Sequence, residues 1–372
     1  WVFGLSTYAF ADENTVVAAS GRGPFWRLSR IDVATLQRTP VNSPSIEFEF
    51  VTGGGGEAVF VAGGLDTPAT VVRYDLASGD FATLKSSLAV EIAPGDRSTP
   101  QAIDYVSADG EMAHALYYPP ANAAYAGPPD ELPPLIVRSH GGPTGGASAT
   151  FNPAIQYWTS RGLAVLDVDY GGSSGYGRPY RQRLAGRWGI VDVDDCVAGA
   201  LALAQRGLVD RERLAIRGGS ASGYTTLAAL TFRDLFKAGA SHYGISDLET
   251  MTTDTHKFES RYLDGLVGPY PEQRDVYVER SPIHFVERMS APLILFQGSE
   301  DKVVPPDQAE KMFAAVTARG LPAALVVFDG EGHGFRRAEN IKRSLEGELS
   351  FFGRAFGFTP AGEIEAVDAV NL

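Results

Sequence analysis

The chain has 372 residues, 44% hydrophobic and 21% charged, which suits a large globular core divided over two domains. Its formal net charge of −13 argues against nucleic acid or an anionic membrane surface as the main partner, and no apolar run approaches the length of a membrane span. A single cysteine, Cys196, excludes an internal disulfide and points to a reducing, cytoplasmic compartment; beside Asp194 and Asp195 on a predicted helix, it reads as a buried, inert thiol.

The chain opens on Trp1, without methionine or a charged leader, and so reads as beginning within something longer. In residues 1–91, Val16-Val17-Ala18 resembles Val59-Phe60-Val61, and Ile31-Asp32-Val33-Ala34 resembles Tyr74-Asp75-Leu76-Ala77. Both pairs are 43 residues apart. Such a period, with short strands and Gly/Asp/Ser turns, predicts propeller blades of four strands each. A ring needs about four blades or more, so two imply further blades upstream or on a companion chain. A small β-sandwich is the alternative. The run Gly53–Gly56 is expected to be a loose hairpin loop, since no helix follows for a cofactor phosphate to cap.

Residues 92–100 (IAPGDRSTP) read as a linker, and 101–372 as a second domain. Segments 102–106 and 112–118 flank an Asp109-Gly110 turn, a hairpin signal. Beyond the proline-rich stretch 119–134, predicted strands at 135–139, 163–168, 214–216, 238–243, 293–297 and 324–328 alternate with predicted helices. The helices fall at 152–161, 191–206, 221–232, 306–319 and 337–356. This alternation predicts an α/β domain with a mostly parallel sheet covered on both faces. Chemistry in such a sheet gathers beyond the carboxyl ends of the strands.

Three loops after strands carry the residues of nucleophilic catalysis. Leu214–Ile216 leads into Gly218-Gly219-Ser220 and then a helix beginning at Ala221, the pattern of a nucleophile elbow. The usual motif is G-x-S-x-G; here Ser222 takes the last position and Gly223 follows, for which a small packing adjustment is expected. A phosphate loop is disfavoured because Tyr224 stands where its lysine must be. Strand 293–297 is followed by Glu300 and Asp301, and strand 324–328 by His333 in a glycine-rich loop. The order Ser, Asp, His is that of the α/β-hydrolases. A serine hydroxyl needs an imidazole to take its proton, and the imidazole needs a carboxylate to fix its tautomer. Among six histidines (114, 140, 242, 256, 284 and 333) only His333 has this placement. Asp301 is preferred over Glu300, expected to point away, and over Asp247, one strand too early. The oxyanion hole is expected from the Ala221 amide and from Gly142, or else Gly141, in the loop after strand 135–139. His140 is expected to brace that loop.

SHGGPT (139–144), DYGGSSGYGRPYR (169–181), GGSASGY (218–224), DTHKFESRYLD (254–264), ERSPI (279–283), QGSEDKVVPP (297–306) and GEGHGFR (330–336) together resemble the prolyl oligopeptidase family, and within it the dipeptidyl-peptidase and acylaminoacyl-peptidase branch. The resemblance covers about residues 100 to 355. It implies a β-propeller before the hydrolase domain, the triad Ser220, Asp301 and His333, and the oxyanion donors Gly142 and Ala221. It also implies a side-chain pocket lined in part by Tyr243, Ile245 and Val304, to which Tyr224 is added as the residue just after the elbow. The expected function is a serine peptidase cleaving short peptides or amino-acyl amides through an acyl-enzyme. A small-molecule amidase or esterase on the same machinery is the first rival, and a non-catalytic hydrolase-fold binding protein the second. No cofactor is expected, and no metal, since no H-E-x-x-H occurs. Two departures stand out: Ser222 replaces a glycine, and Asp169, expected to accept hydrogen bonds from the loop 171–177, stands where relatives often carry asparagine. Arg261 and Glu259 are expected to pair.

Overall fold

The computed structural model describes residues 4–89, 91–254, 257 and 259–372. Trp1, His256 and part of the 254–264 motif lie outside the described residues. The N-terminal strands form two four-stranded antiparallel meanders: β1 (Tyr8–Phe10), β2 (Thr15–Arg22), β3 (Phe25–Asp32) and β4 (Arg38–Pro40), then β5 (Glu47–Gly54), β6 (Glu57–Gly63), β7 (Thr70–Asp75) and β8 (Phe81–Ser86). The repeat has a local cause. Asp32 ends β3 and its Oδ1 accepts from the Thr35 amide at 2.7 Å; Asp75 ends β7 and its Oδ1 accepts from the Ala77 and Ser78 amides at 2.9 and 2.8 Å. The same aspartate-built turn thus closes both hairpins. The inward faces meet in one core that includes Val17, Leu28, Phe48, Phe60 and Tyr74. The expected loose loop at 53–56 is half strand instead: Gly53 pairs with Ala58 and Gly54 with Glu57, so Gly55 and Gly56 alone make the turn.

The second sheet has eight strands in the order β16-β15-β14-β13-β11-β12-β10-β9. These are β9 (Gln101–Val106), β10 (Met112–Tyr118), β11 (Leu135–Ser139), β12 (Ala164–Asp169), β13 (Leu214–Gly219), β14 (Ala238–His242), β15 (Leu293–Gly298) and β16 (Ala323–Phe328). β11 to β16 are parallel, and the β9–β10 hairpin joins antiparallel at one edge. The main helices are α1 (Pro153–Thr159), α3 (Val191–Gln205), α4 (Ala221–Phe232), α8 (Asp307–Ala318) and α9 (Ala338–Phe356). Strand periodicity assigns their faces. Leu135, Val137, Leu214 and Ile216 point to one core with Leu203, Leu227 and Met312; Ile136, Ala215 and Phe296 point to the other with Trp158 and Phe352. The short helices α2 (Arg178–Gln182), α5 (Met251–Asp254), α6 (Tyr262–Leu266) and α7 (Arg274–Glu279) were not expected, being of one or two turns in Gly/Pro-punctuated sequence. The architecture is an α/β-hydrolase fold preceded by part of a β-propeller.

The stretch read as a linker, 92–100, contacts the second sheet's helices through Ser98. Ser98 is buried, and its amide donates to Gln156 Oε1 on α1 at 2.8 Å. The blades touch the sheet's loops. The Gly23 amide donates to Gly175 O at 2.9 Å, the Phe151 amide to Gly64 O at 2.8 Å, and the Glu47 carboxylate accepts from the hydroxyls of Ser148 and Thr150. Among the described residues no helix is long and apolar enough to cross a membrane.

Candidate active site

Three loops at the carboxyl ends of β13, β15 and β16 converge. Between β13 and α4 the backbone turns at Ser220 with φ 58° and ψ −123°. Close packing explains the glycines before it. A Cβ on Gly218 would overlap Ser222 Oγ and lie 2.5 Å from the Ser222 carbonyl carbon. Ser222 fits in place of the usual glycine because it faces Gly218 and its hydroxyl finds Ser139 Oγ at 2.7 Å. The turn brings Ser220 Oγ to 2.8 Å from His333 Nε2, and His333 Nδ1 lies 2.8 Å from Asp301 Oδ2. Asp301 is 4% exposed; its Oδ1 accepts from the Val303 and Val304 amides at 2.9 and 3.0 Å, which fixes the carboxylate plane. Glu300 is exposed, and Asp247 accepts from the Glu249 amide at 2.9 Å, away from His333. The His333 loop is tied down by Glu331, whose carboxylate accepts from the Arg336 and Arg337 amides and from Asn340.

Gly141 and Gly142 lie beside this group. A Cβ on Gly141 would come 3.8 Å from Ser220 Cβ, and Gly142 (φ 117°) forms part of the pocket wall with Ala221. The first amides of α4 have no partner within the helix and face the Ser220 end. The Gly142–Pro143 peptide is cis. His140 braces the loop: its Nε2 lies 2.6 Å from Ser173 Oγ and its ring stacks on Tyr170. Burial pushes its pKa down to about 4, so the imidazole is neutral. Tyr170 in turn donates to Pro143 O at 2.7 Å. Asp169 accepts from the Ala147 amide at 2.6 Å and from the Tyr176 hydroxyl at 2.9 Å, so its contact with the loop 171–177 is a side chain and not the glycine amides. Burial pushes the Asp169 carboxyl up to about 7.

The pocket has a volume of about 290 Å³. Ser220 and His333 stand on one side, and Trp188, Ile245, Met251, Leu263, Val303 and Val304 form an apolar wall. Ile245 and Val304 are thus part of that wall. Tyr224 lies behind the wall, and Tyr243 is not among the lining residues. Tyr224 is fully buried against Trp188 and donates to Arg280 O at 2.9 Å; the Tyr243 ring packs edge-on to His333. Glu259 and Tyr262 also line the pocket. Arg261 pairs with Asp264 at 2.6 Å. Trp188 and Met251 carry no signal in the sequence because each looks like ordinary core. Glu259, Tyr262 and Leu263 fall within the motif 254–264, which is the signal the sequence offers. Asp192 ties the turn after Trp188 to α4, accepting from the Gly189 amide at 2.7 Å and from Thr225 Oγ1 at 2.5 Å.

The profile of the prolyl oligopeptidase family matches residues 149–359. A solved structure described as a puromycin-hydrolyzing peptidase of Mycobacterium tuberculosis superposes on the whole chain with a TM-score of 0.97 and 44% identity, over 56% of its own length. A puromycin hydrolase structure gives a TM-score of 0.94 at 40% identity, covering 98% of this chain and 55% of that one. Dipeptidyl aminopeptidase BIII of Pseudoxanthomonas mexicana is 30% identical over 286 residues, 74% of this chain and 41% of that protein. The chain therefore spans about half the length of the relatives it matches. The profile match over more than half of the sequence, together with these relatives, makes this chain a member of the prolyl oligopeptidase family.

Proposed function

We propose that the protein is a serine peptidase cleaving short peptides or amino-acyl amides through an acyl-enzyme. The observation that supports it is the continuous contact from Ser220 Oγ through His333 to the buried Asp301 carboxylate, both links at 2.8 Å. Ser220 Oγ attacks the scissile carbonyl while His333 Nε2 takes its proton. The carbonyl oxygen becomes an oxyanion held by the Ala221 and Gly142 amides. Asp301 keeps the His333 proton on Nδ1 and stabilises the imidazolium that forms. His333 then protonates the departing amine, and an activated water releases the acyl group by the same route. The apolar wall supports a preference for an apolar or aromatic side chain next to the cleaved bond.

Residues 1–91 are a partial propeller, 92–100 a linker and 101–372 the hydrolase domain, with the remaining blades upstream or on a companion chain. A cytoplasmic location, a peptide rather than a nucleic-acid partner and the absence of a cofactor belong to the same proposal.

The test is Ser220→Ala. It is expected to lower kcat by about 10⁵ to 10⁶ and to abolish covalent labelling by a fluorophosphonate. A variant retaining a tenth of wild-type turnover rejects the mechanism, and a folded wild type that never labels favours a non-catalytic binding protein. A dedicated small-amide hydrolase is the second reading, favoured by the two puromycin-hydrolysing structures that match this chain. Comparing kcat/KM for puromycin, a dipeptide amide and its matched ester separates the readings.

A further inference from the structure

Behind the nucleophile lies a buried charged group that the mechanism above does not use. Arg217, on β13 just before the elbow, donates from Nε to both oxygens of Glu348 on α9, at 2.9 and 3.1 Å. His242, the last residue of β14, brings Nε2 to 3.1 Å from Glu348 Oε1 and 3.3 Å from Arg217 Nη2. Glu348 is 0% exposed and His242 5%. Burial alone would push the Glu348 carboxyl up, but the adjacent Arg217 guanidinium and His242 hold it below the usual carboxylate range. Burial pushes the His242 pKa down, against the opposing pull of the Glu348 carboxylate. The cluster is therefore an ion pair with a histidine docked on it.

Ion pairs this deep are weak evidence for stability, since apolar side chains of similar volume pack as well or better. This one is attached to the reacting groups on both sides. The His242 carbonyl accepts from the Ser220 amide at 3.0 Å, within the turn that holds Ser220 at φ 58°. The next residue, Tyr243, has φ 39°, a left-handed conformation that a bulky aromatic adopts only when its surroundings impose it. Its amide donates to Phe296 O at 2.7 Å. Its ring covers Gly219, where a Cβ would come within 2.8 Å, and meets the His333 ring edge-on at 4.9 Å between centroids. The dipeptide 242–243 thus holds the nucleophile's backbone with its carbonyl and the imidazole with its next ring. Its own side-chain anchor is the ion pair.

We propose that Glu348 is a positioning residue, acting through Arg217 and His242 to set the Ser220 hydroxyl against the His333 imidazole. The inference rests on the peptidase reading above. It predicts a defect in chemistry without a defect in substrate binding, because none of the three residues lines the pocket.

Three variants test it, each read by kcat, KM, thermal midpoint and rate of labelling by a fluorophosphonate. His242→Phe keeps the stack on Phe296 (4.7 Å between centroids) and leaves the Arg217–Glu348 pair intact. It is expected to lower kcat and the labelling rate together by about 10- to 100-fold with KM within about twofold. Glu348→Gln is expected to show the same split. Arg217→Met with Glu348→Leu removes both charges without leaving one unpaired, so it is expected to fold and still lose kcat. Since labelling needs no peptide to bind, its parallel fall separates positioning from lost binding. If Glu348→Gln fails to fold, His242→Phe decides. An active wild type with His242→Phe within twofold of it in kcat and labelling overturns the positioning role alone. A wild type that neither turns over nor labels overturns the peptidase reading itself.

Discussion

Replacing Asp301 by asparagine tests the tautomer-fixing role proposed for it, because the new side chain has one orientation available. Asp301 Oδ1 accepts two backbone amides, those of Val303 and Val304, at 2.9 and 3.0 Å. Oδ2 faces His333 Nδ1 at 2.8 Å. An asparagine must place its carbonyl oxygen where Oδ1 stands; the reverse sets its NH₂ against two N–H donors and leaves two buried amides without an acceptor, at about 1–3 kcal/mol each. The NH₂ then points at His333 Nδ1, which is forced to accept. The ring proton moves to Nε2, which faces Ser220 Oγ at 2.8 Å and can no longer take the hydroxyl proton. Loss of the base in this way is expected to lower kcat by about 10⁴, or about 5.4 kcal/mol of barrier. Turnover of an amino-acyl anilide at pH 7 measures the loss. The thermal midpoint should move by only a few degrees, since both amides keep their acceptor. A folded Asp301→Asn enzyme within tenfold of wild type in kcat would refute the argument.

Gly218→Ala is expected to lower kcat by about 100-fold or more and to reduce the thermal midpoint, because its Cβ meets Ser222 backbone as well as its hydroxyl. Pairing it with Ser222→Gly should not restore activity, as the Ser222 carbonyl carbon still lies 2.5 Å from the added Cβ. His140, held down to about 4 by burial, takes up a proton more readily unfolded than folded, so it subtracts stability as pH falls from about 6.5 towards 4. His140→Gln should flatten the denaturation midpoint over that window; an unchanged slope would contradict a buried neutral imidazole. Asp169 has the opposite sign. With its folded pKa raised to about 7, it binds its proton more tightly folded, and stability falls as pH rises from about 4 through 7. Asp169→Asn should therefore raise the thermal midpoint at pH 8 by a few degrees relative to wild type and change it little at pH 4.

Some of this molecule is written locally. Alternation of apolar runs in Leu135–Val137 and Leu214–Ile216 announces strands buried on both faces, and the Gly218-Gly219-Ser220 turn needs only its own backbone to declare itself. The blade repeat is visible because Asp32 and Asp75 build the same turn from neighbouring amides. Strand order then places Ser220, Asp301 and His333 at one end of a parallel sheet, which is why chain order alone named them. Other features arise between segments far apart in sequence, and no local signal carries them. Trp188 and Met251 look like core until the loops close around a cavity beside Ser220. Ser222 is tolerable only because Ser139, on another strand, offers its hydroxyl. Tyr224 sits behind the pocket wall because the carbonyl of Arg280 takes its hydroxyl, and the Tyr243 ring packs against His333. Nor does the spacing of Arg217, His242 and Glu348 hint that a strand, its neighbour and the last long helix meet there. Periodicity reports which way a side chain points from its own element; what it meets is set by packing, which depends on the whole chain at once.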